Sequence, residues 1–179
     1  MEIKSRSNLD VLLKQQGMFD YPVVEVGVAE GLNSADMLRW GISKLYMVDA
    51  WRMLPQTGDG GFEQSWHDTN YQQAVDRVLE FGEKAVILRG LSVEMSQQVE
   101  DNSCGLIYLD GDHSYTGVMK DLYAWFQKLK VGGIMAGHDF VACGYGVNQA
   151  VHEFCKNKYD IHTIPENGDD ASFYFIKTL

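Results

Sequence analysis

Apolar residues follow two patterns along the chain. Continuous runs are typical of buried strands, and stripes at helical spacing are typical of helices packed on a core. The runs predict seven strands, and the stripes predict the helices between most of them. The predicted strands lie at 22–28, 44–48, 85–88, 161–164 and 172–176 and within 106–113 and 132–140. The predicted helices lie at 8–16, 33–40, 71–79, 91–99, 114–129 and 147–155, with Gly132 and Gly133 closing the fifth.

This alternation of strand and helix predicts an α/β fold with a mostly parallel sheet. Residues 165–170 leave no room for a helix between the last two runs, so these are predicted to form an antiparallel hairpin at the end of the sheet. A chain of 179 residues is expected to form one domain, 1–179, with a lead-in helix within 1–20. The polar loop at 52–66 is predicted to cover a substrate pocket, with Trp51 or Phe62 as an apolar wall.

Composition excludes several classes of partner. The net charge of −10 and the lack of a basic patch disfavour nucleic acid. No apolar run approaches the roughly 20 residues of a membrane helix, and the N-terminus lacks a signal-peptide pattern. Cys104, Cys143 and Cys155 fit neither a disulfide framework nor usual zinc spacing, and Cys104 and Cys155 are expected to fill the core. We therefore expect a cytoplasmic protein with no membrane partner, and its oligomeric state, including a homodimer, is left open.

Acids and imidazoles follow two of the predicted strands. Asp110, Asp112 and His113 come after the first, and His138 and Asp139 come after the second. Strands joined through a helix are parallel, so their carboxyl ends share one edge of the sheet. Ligands bind in that position in open α/β sheets. The five side chains are predicted to converge there, although each could instead cap a helix or a turn.

A second motif lies where the first long strand meets a helix. Glu25, Gly27 and Gly31 do not form the dinucleotide pattern G-x-G-x-x-G, because position 29 is Ala29. The glycines are predicted to let the backbone approach a ligand, and the acids of this region suit a ligand with positive charge. Asp49 ends the second strand 22 residues after Gly27, where an acid can accept hydrogen bonds from a ribose diol.

These motifs resemble those of class I S-adenosylmethionine-dependent methyltransferases. Residues 25–31 look like their first motif, E-x-G-x-x-x-G, Asp49 matches the ribose-binding acid, and Ser92 lies in the loop on the adenine side. Segments 109–115 and 133–139 resemble a branch of small O-methyltransferases of family 24 that includes macrocin-type sugar enzymes and is related to the catechol type. The resemblance implies a Rossmann-like sandwich with S-adenosylmethionine bound by Glu25, Gly27, Gly31, Asp49, Ser92 and Asp110.

Many members of these groups bind a divalent metal at the ends of the fourth and fifth strands. Carried over, the ligands are Asp110, His138 and Asp139, and His138 departs from the usual acid or amide. Oxygen ligands favour Mg²⁺, and one imidazole shifts the preference toward Mn²⁺. Without metal, His113 or His138 could serve as general base with Asp112 orienting it, or His113 could only tie down the loop. Asp110, His113 and His138 form the predicted catalytic set.

The predicted function is transfer of a methyl group to a hydroxyl of a small sugar-like or phenol-like acceptor, with metal assistance. Two alternatives stay open from the residues. A nucleotide-dependent oxidoreductase would need a glycine in place of Ala29 and a Tyr/Lys pair. A catalytically silent ligand-binding protein would keep the fold without turnover.

Overall fold

The structure, a computed structural model, describes residues 3, 5–54, 62–141, 146–165 and 171–178. The strands are β1 Val23–Val26, β2 Leu45–Asp49, β3 Ala85–Arg89, β4 Cys104–Leu109, β5 Leu129–Gly137, β6 His162–Pro165 and β7 Ala171–Ile176. The α-helices are α1 Leu9–Gln15, α2 Leu32–Arg39, α3 Gln64–Val78, α4 Ser92–Ser96, α5 Tyr115–Phe126 and α6 Val147–Cys155. Short 3₁₀ helices cover Arg6–Asn8 and Leu79–Lys84.

The seven strands form one sheet in the order β3-β2-β1-β4-β5-β7-β6. Neighbours from β3 to β5 pair in parallel, and β7 pairs antiparallel with both β5 and β6. This confirms the predicted mostly parallel sheet with its C-terminal hairpin. The antiparallel strand is not at the edge, however, because β7 inserts beside β5 and leaves the edge to β6.

The core lies on both faces of this sheet. Side chains alternate along β4, so Ile107 packs with Leu122 and Trp125 of α5, whereas Leu106 packs on the face that carries α1, α2 and α3. Cys104 and Cys155 are buried among these apolar side chains, as predicted. Burial raises the pKa of the Cys155 thiol to about 12 and that of Cys104 to about 11, so both stay neutral thiols at physiological pH.

The predicted end of the fifth helix is wrong. The fifth helix was expected to reach Leu129 and close at Gly132 and Gly133, but α5 ends at Phe126 and β5 already begins at Leu129. Lys128 N–H donates to the carbonyl of Trp125, which closes the turn between them. Gly132 adopts a φ of 85° inside β5, and the pairing with β4 shifts register between Cys104 and Leu106. The glycines therefore mark an irregularity in the strand rather than the end of a helix.

The predicted loop at 52–66 is only partly described. Residues 55–61 lie outside the described ranges, and α3 begins at Gln64, inside the predicted loop. Among the helices of the described ranges, none is long and apolar enough to cross a membrane.

Candidate active site

A cavity of about 1410 Å³ lies at the carboxyl ends of β1, β2 and β4 and beside the loop after β3. Its volume exceeds the roughly 300–1,000 Å³ of an ordinary ligand pocket, so it has room for two small molecules side by side. Every predicted donor-binding residue except Gly31 lines it: Glu25, Gly27, Asp49, Ser92 and Asp110.

Glu25 is buried at the end of β1, with 1% of its surface exposed. Its carboxyl accepts hydrogen bonds from Asn33 Nδ2, at 2.8 Å, and from the Ser34 hydroxyl, so it fastens the start of α2. Burial raises the pKa of Glu25 to about 8, despite these hydrogen bonds. At neutral pH the carboxyl is therefore mostly protonated, and it offers little charge to a cationic ligand.

Gly27 is required by the protein's own backbone. Its φ is 87°, and an added Cβ would lie 1.9 Å from the carbonyl oxygen of Asp110. The close approach of a ligand to Gly27, which also lines the cavity, stays a prediction. Gly31 has a φ of 79° at the start of α2, and its Cβ would lie 3.1 Å from the Cα of Ala74 on α3. Both glycines serve packing between elements around the cavity.

Asp49 ties two loops together at the cavity wall. Oδ2 accepts from the backbone N–H groups of Val28 and Ala29, at 2.9 and 3.0 Å, and Oδ1 accepts from Trp51 N–H at 2.8 Å. The indole of Trp51, 1% exposed, donates back to the carbonyl of Ala29 at 2.8 Å. A carboxylate has about four lone-pair positions, so one is left for a ligand such as a ribose.

Ser92 belongs to a buried network that the sequence did not reveal. Its hydroxyl donates to Asp121 Oδ1 at 2.6 Å and accepts from Trp125 Nε1 at 2.8 Å. Asp121 is buried on α5, and burial raises its pKa to about 6. The sequence carried one sign of this network, because the acid Asp121 lies among the apolar helix positions Val118 and Leu122. Because its hydroxyl is committed to Asp121, Ser92 can offer a ligand its backbone more readily than its hydroxyl proton.

Acids from the ends of β4 and β5 meet beside the cavity. His113 Nε2 lies 2.9 Å from Asp139 Oδ2 and 3.5 Å from Asp110 Oδ1. One ligand atom from each of the three lies within 4.8 Å of the others, a spacing that suits a metal ion. His138 Nδ1 lies slightly farther out, 3.4 Å from Asp139 Oδ2 and 3.9 Å from Asp110 Oδ1. The structure thus places His113, rather than the predicted His138, with the two acids.

The backbone explains this convergence. Leu109 and Gly137 are paired across β4 and β5, so the residues that follow them emerge side by side. A Cβ at Gly137 would lie 2.6 Å from the carbonyl of Leu109, which allows only glycine there. Asp139 has a φ of 55°, a strained value for a residue with a side chain that often marks functional sites. Two carboxylates and one imidazole suit Mn²⁺ or Mg²⁺ completed by water.

Asp112 does not join this group. Its Oδ1 accepts from the backbone N–H of Ser114 at 2.9 Å, and Ser114 in turn caps α5 by accepting from Gly117 N–H at 3.1 Å. The carboxyl also packs against Gly117, where a Cβ would lie 2.3 Å from it. Asp112 therefore shapes the turn into α5, and the proposed orientation of a histidine by Asp112 gains no support from these contacts.

Comparison with known proteins adds a family and a fold. A family model described as "Methyltransferase domain" matches residues 24–140. No curated protein matches the sequence. The O-methyltransferase NovP superimposes with a TM-score of 0.68 at 17% identity, over 97% of this chain and 80% of NovP.

Two further solved structures show the same fold. An O-methyltransferase from Bacillus cereus in complex with SAH gives a TM-score of 0.68 at 13% identity, over 97% of this chain and 82% of that one. An rRNA methylase from Streptococcus thermophilus gives 0.67 at 14% identity, over 96% and 95%. At such identities the likeness extends to the fold alone.

Proposed function

The chain belongs to the family of S-adenosylmethionine-dependent methyltransferases, and on that premise we propose that it methylates a hydroxyl of a small molecule with the help of a divalent metal ion. The observation that carries the proposal is the group formed by Asp110, His113 and Asp139 at the cavity edge. Asp110 and His113 also line the cavity itself, so a molecule inside it would reach their side chains.

S-adenosylmethionine, when bound, supplies an electrophilic methyl group on sulfur. The residues around Gly27, Asp49 and Ser92 would hold it along the cavity wall, with one lone pair of Asp49 turned to its ribose. The acceptor would take the remaining space toward Asp110. Holding both reactants in line can lower the activation free energy by on the order of 7–11 kcal/mol.

The acceptor hydroxyl must also lose its proton. Asp110, His113 and Asp139 would hold a metal that lowers the hydroxyl pKa and orients the oxygen. Without metal, the imidazole of His113 or His138 is the available base, and Asp139 Oδ2, 2.9 Å from His113 Nε2, would orient it. These two routes make opposite predictions for chelation.

A small acceptor fits better than RNA, although one structural neighbour is an rRNA methylase. The net charge is −10, and phosphate binding relies on clustered cations. Membership of the methyltransferase family also favours methyl transfer over hydride transfer by a nucleotide-dependent oxidoreductase. A sugar-like or a phenol-like hydroxyl is compatible with the cavity.

The test is turnover with S-adenosylmethionine and two panels, small phenols and small sugars, with detection of S-adenosylhomocysteine and of the methylated product. EDTA should abolish product, and Mg²⁺ or Mn²⁺ should restore it. Full turnover after exhaustive chelation would refute metal assistance, and methylation confined to amines or RNA offered in parallel would refute a small-molecule hydroxyl as the acceptor. The surface variant Gln72→Ala, on the exposed side of α3, serves as the matched control.

A further inference from the structure

Helix α3 carries a stripe of residues four apart that runs from the protein interior to the cavity rim. Ala74, the inner member, faces Gly31 at the start of α2. Asn70 lies one turn earlier and Trp66 one turn earlier again, and both line the cavity. Trp66 stacks on Phe62, with ring centroids 4.2 Å apart and planes within 16°.

The amide of Asn70 is unusual within this stripe. Only 7% of the residue is exposed, yet its Nδ2 has no hydrogen-bond partner among the described residues. Buried polar groups are nearly always paired, because an unpaired buried donor costs free energy. A donor that is buried, unpaired and on a cavity wall indicates a ligand oxygen as its missing partner.

The rim beside Asn70 is apolar and exposed. Phe62 and Trp66 are 45% and 41% exposed, and Leu32 at the start of α2, which lines the same cavity, is 57% exposed. Large apolar side chains at a cavity mouth stay accessible to ligands, and a stacked aromatic pair favours a flat ring as its next neighbour. A planar aromatic ring makes closer contact with such a pair than the puckered ring of a sugar, whose opposite edges carry hydroxyls.

We propose that this surface of α3, formed by Phe62, Trp66 and Asn70, is an acceptor subsite for a planar aromatic molecule. The acceptor's ring lies against Trp66, and an oxygen substituent on the side of that ring away from its reacting hydroxyl accepts a hydrogen bond from Asn70 Nδ2. The inference rests on the proposed hydroxyl-directed transfer and narrows its acceptor from sugar or phenol to phenol. It concerns recognition of the acceptor, and Asn70 takes no part in the proton or methyl transfer.

The experiment is calorimetric binding of two probes to the full chain with S-adenosylhomocysteine and Mg²⁺ present. One probe is 3,4-dihydroxybenzoate, whose carboxylate can accept from Asn70, and the other is catechol, which lacks that group. Asn70→Ala and Asn70→Asp should weaken the binding of 3,4-dihydroxybenzoate about tenfold, or about 1.4 kcal/mol, and should change the affinity for catechol less than twofold. Trp66→Ala should weaken both probes, and Trp66→Phe should restore most of the loss. Gln72→Ala on the exposed side of the same helix should change neither.

Two further measurements separate recognition from structure and from donor binding. Because Asn70 Nδ2 has no partner to lose within the part of the chain that the structure describes, Asn70→Ala should not lower the melting temperature. A marked drop would assign Asn70 a structural role and overturn the proposal. Equal loss of S-adenosylhomocysteine affinity would assign the amide to the donor and also overturn it. No binding of 3,4-dihydroxybenzoate to the unmodified chain, or binding unaffected by both Asn70 variants, would do the same.

These outcomes are distinct from failure of the proposed function. Binding is measured without turnover, so the subsite can still be tested if no methylated hydroxyl product is found. Conversely, methylation of 3,4-dihydroxybenzoate with the same KM in the parent and Asn70→Ala would refute the subsite and leave the function intact.

Discussion

Replacing Glu25 by glutamine should make the stability of this protein less sensitive to pH. Glu25 is buried at the end of β1, and its pKa is raised from 4.5 to about 8, chiefly by burial. Between these two values the folded state keeps a proton that the unfolded state has released. The free energy of unfolding therefore falls as pH rises from about 4.5 to about 8, and the penalty is complete above that range.

The size of the effect follows from the same shift. Each pH unit in that interval costs about 1.4 kcal/mol, so the loss reaches at most a few kcal/mol by pH 9. Glutamine keeps the shape and can still accept from Asn33 Nδ2 and donate to the Ser34 hydroxyl. It does not ionise, so Glu25→Gln should gain stability relative to the parent as pH rises.

Urea unfolding at pH 5, 7 and 9 measures this difference directly. Glu25→Gln should be close to the parent or slightly less stable at pH 5 and clearly more stable at pH 9. Glu83→Gln, at an exposed acid, corrects for the general effect of removing a carboxyl. A difference between Glu25→Gln and the parent that stays constant from pH 5 to 9 would refute the assignment of a buried, neutral carboxyl.

Three further predictions follow from the site. Gly27→Ala should lower the free energy of unfolding by well over the roughly 1–2 kcal/mol that left-handed backbone costs a residue with a side chain, because its Cβ would meet the Asp110 backbone. Gly41→Ala, at a φ of 89° with open space around it, should lose only those roughly 1–2 kcal/mol, so equal urea midpoints for the two variants would contradict the contact. Asp49→Ala should lower the free energy of unfolding in urea, because three backbone hydrogen bonds are lost, and should weaken donor binding in calorimetry by roughly 1.5–3 kcal/mol, the scale of one hydrogen bond to a charged group. Unchanged unfolding would leave the three backbone contacts without energetic weight, and unchanged donor affinity would refute the ribose contact. Asp110→Asn and Asp139→Asn should weaken Mn²⁺ binding at least about tenfold in calorimetry with S-adenosylhomocysteine affinity nearly intact, and undiminished Mn²⁺ affinity would exclude these ligands.

The sheet could be predicted from the sequence because its information is local. Continuous apolar runs identify buried strands, and the six-residue gap at 165–170 allows only a hairpin. The meeting of Asp110 with Asp139 also follows from topology, since Asp110 directly follows β4 and Asp139 is the second residue after its parallel neighbour β5. The end of α5 could not be predicted in this way, because Leu129 continues the apolar spacing of the helix although it already belongs to β5.

The identity of the imidazole beside the acids needed three-dimensional information. His113 and His138 are equally near an acid in the sequence, and the choice depends on the turn after β4 and on the left-handed backbone of Asp139. The packing role of Gly27 also needed three-dimensional information. Gly27 contacts the backbone of Asp110, which lies 83 positions later in the chain, and no local sequence pattern predicts such a contact.

That contact has a mechanical consequence. The loop after β1 and the loop after β4 touch backbone to backbone, at Gly27 and the carbonyl of Asp110. Asp49 also fastens the first loop to the end of β2. The wall that would hold the donor and the first acid of the acceptor side thus form one stiff assembly. In the proposed arrangement, main-chain packing would therefore fix the position of the donor relative to Asp110.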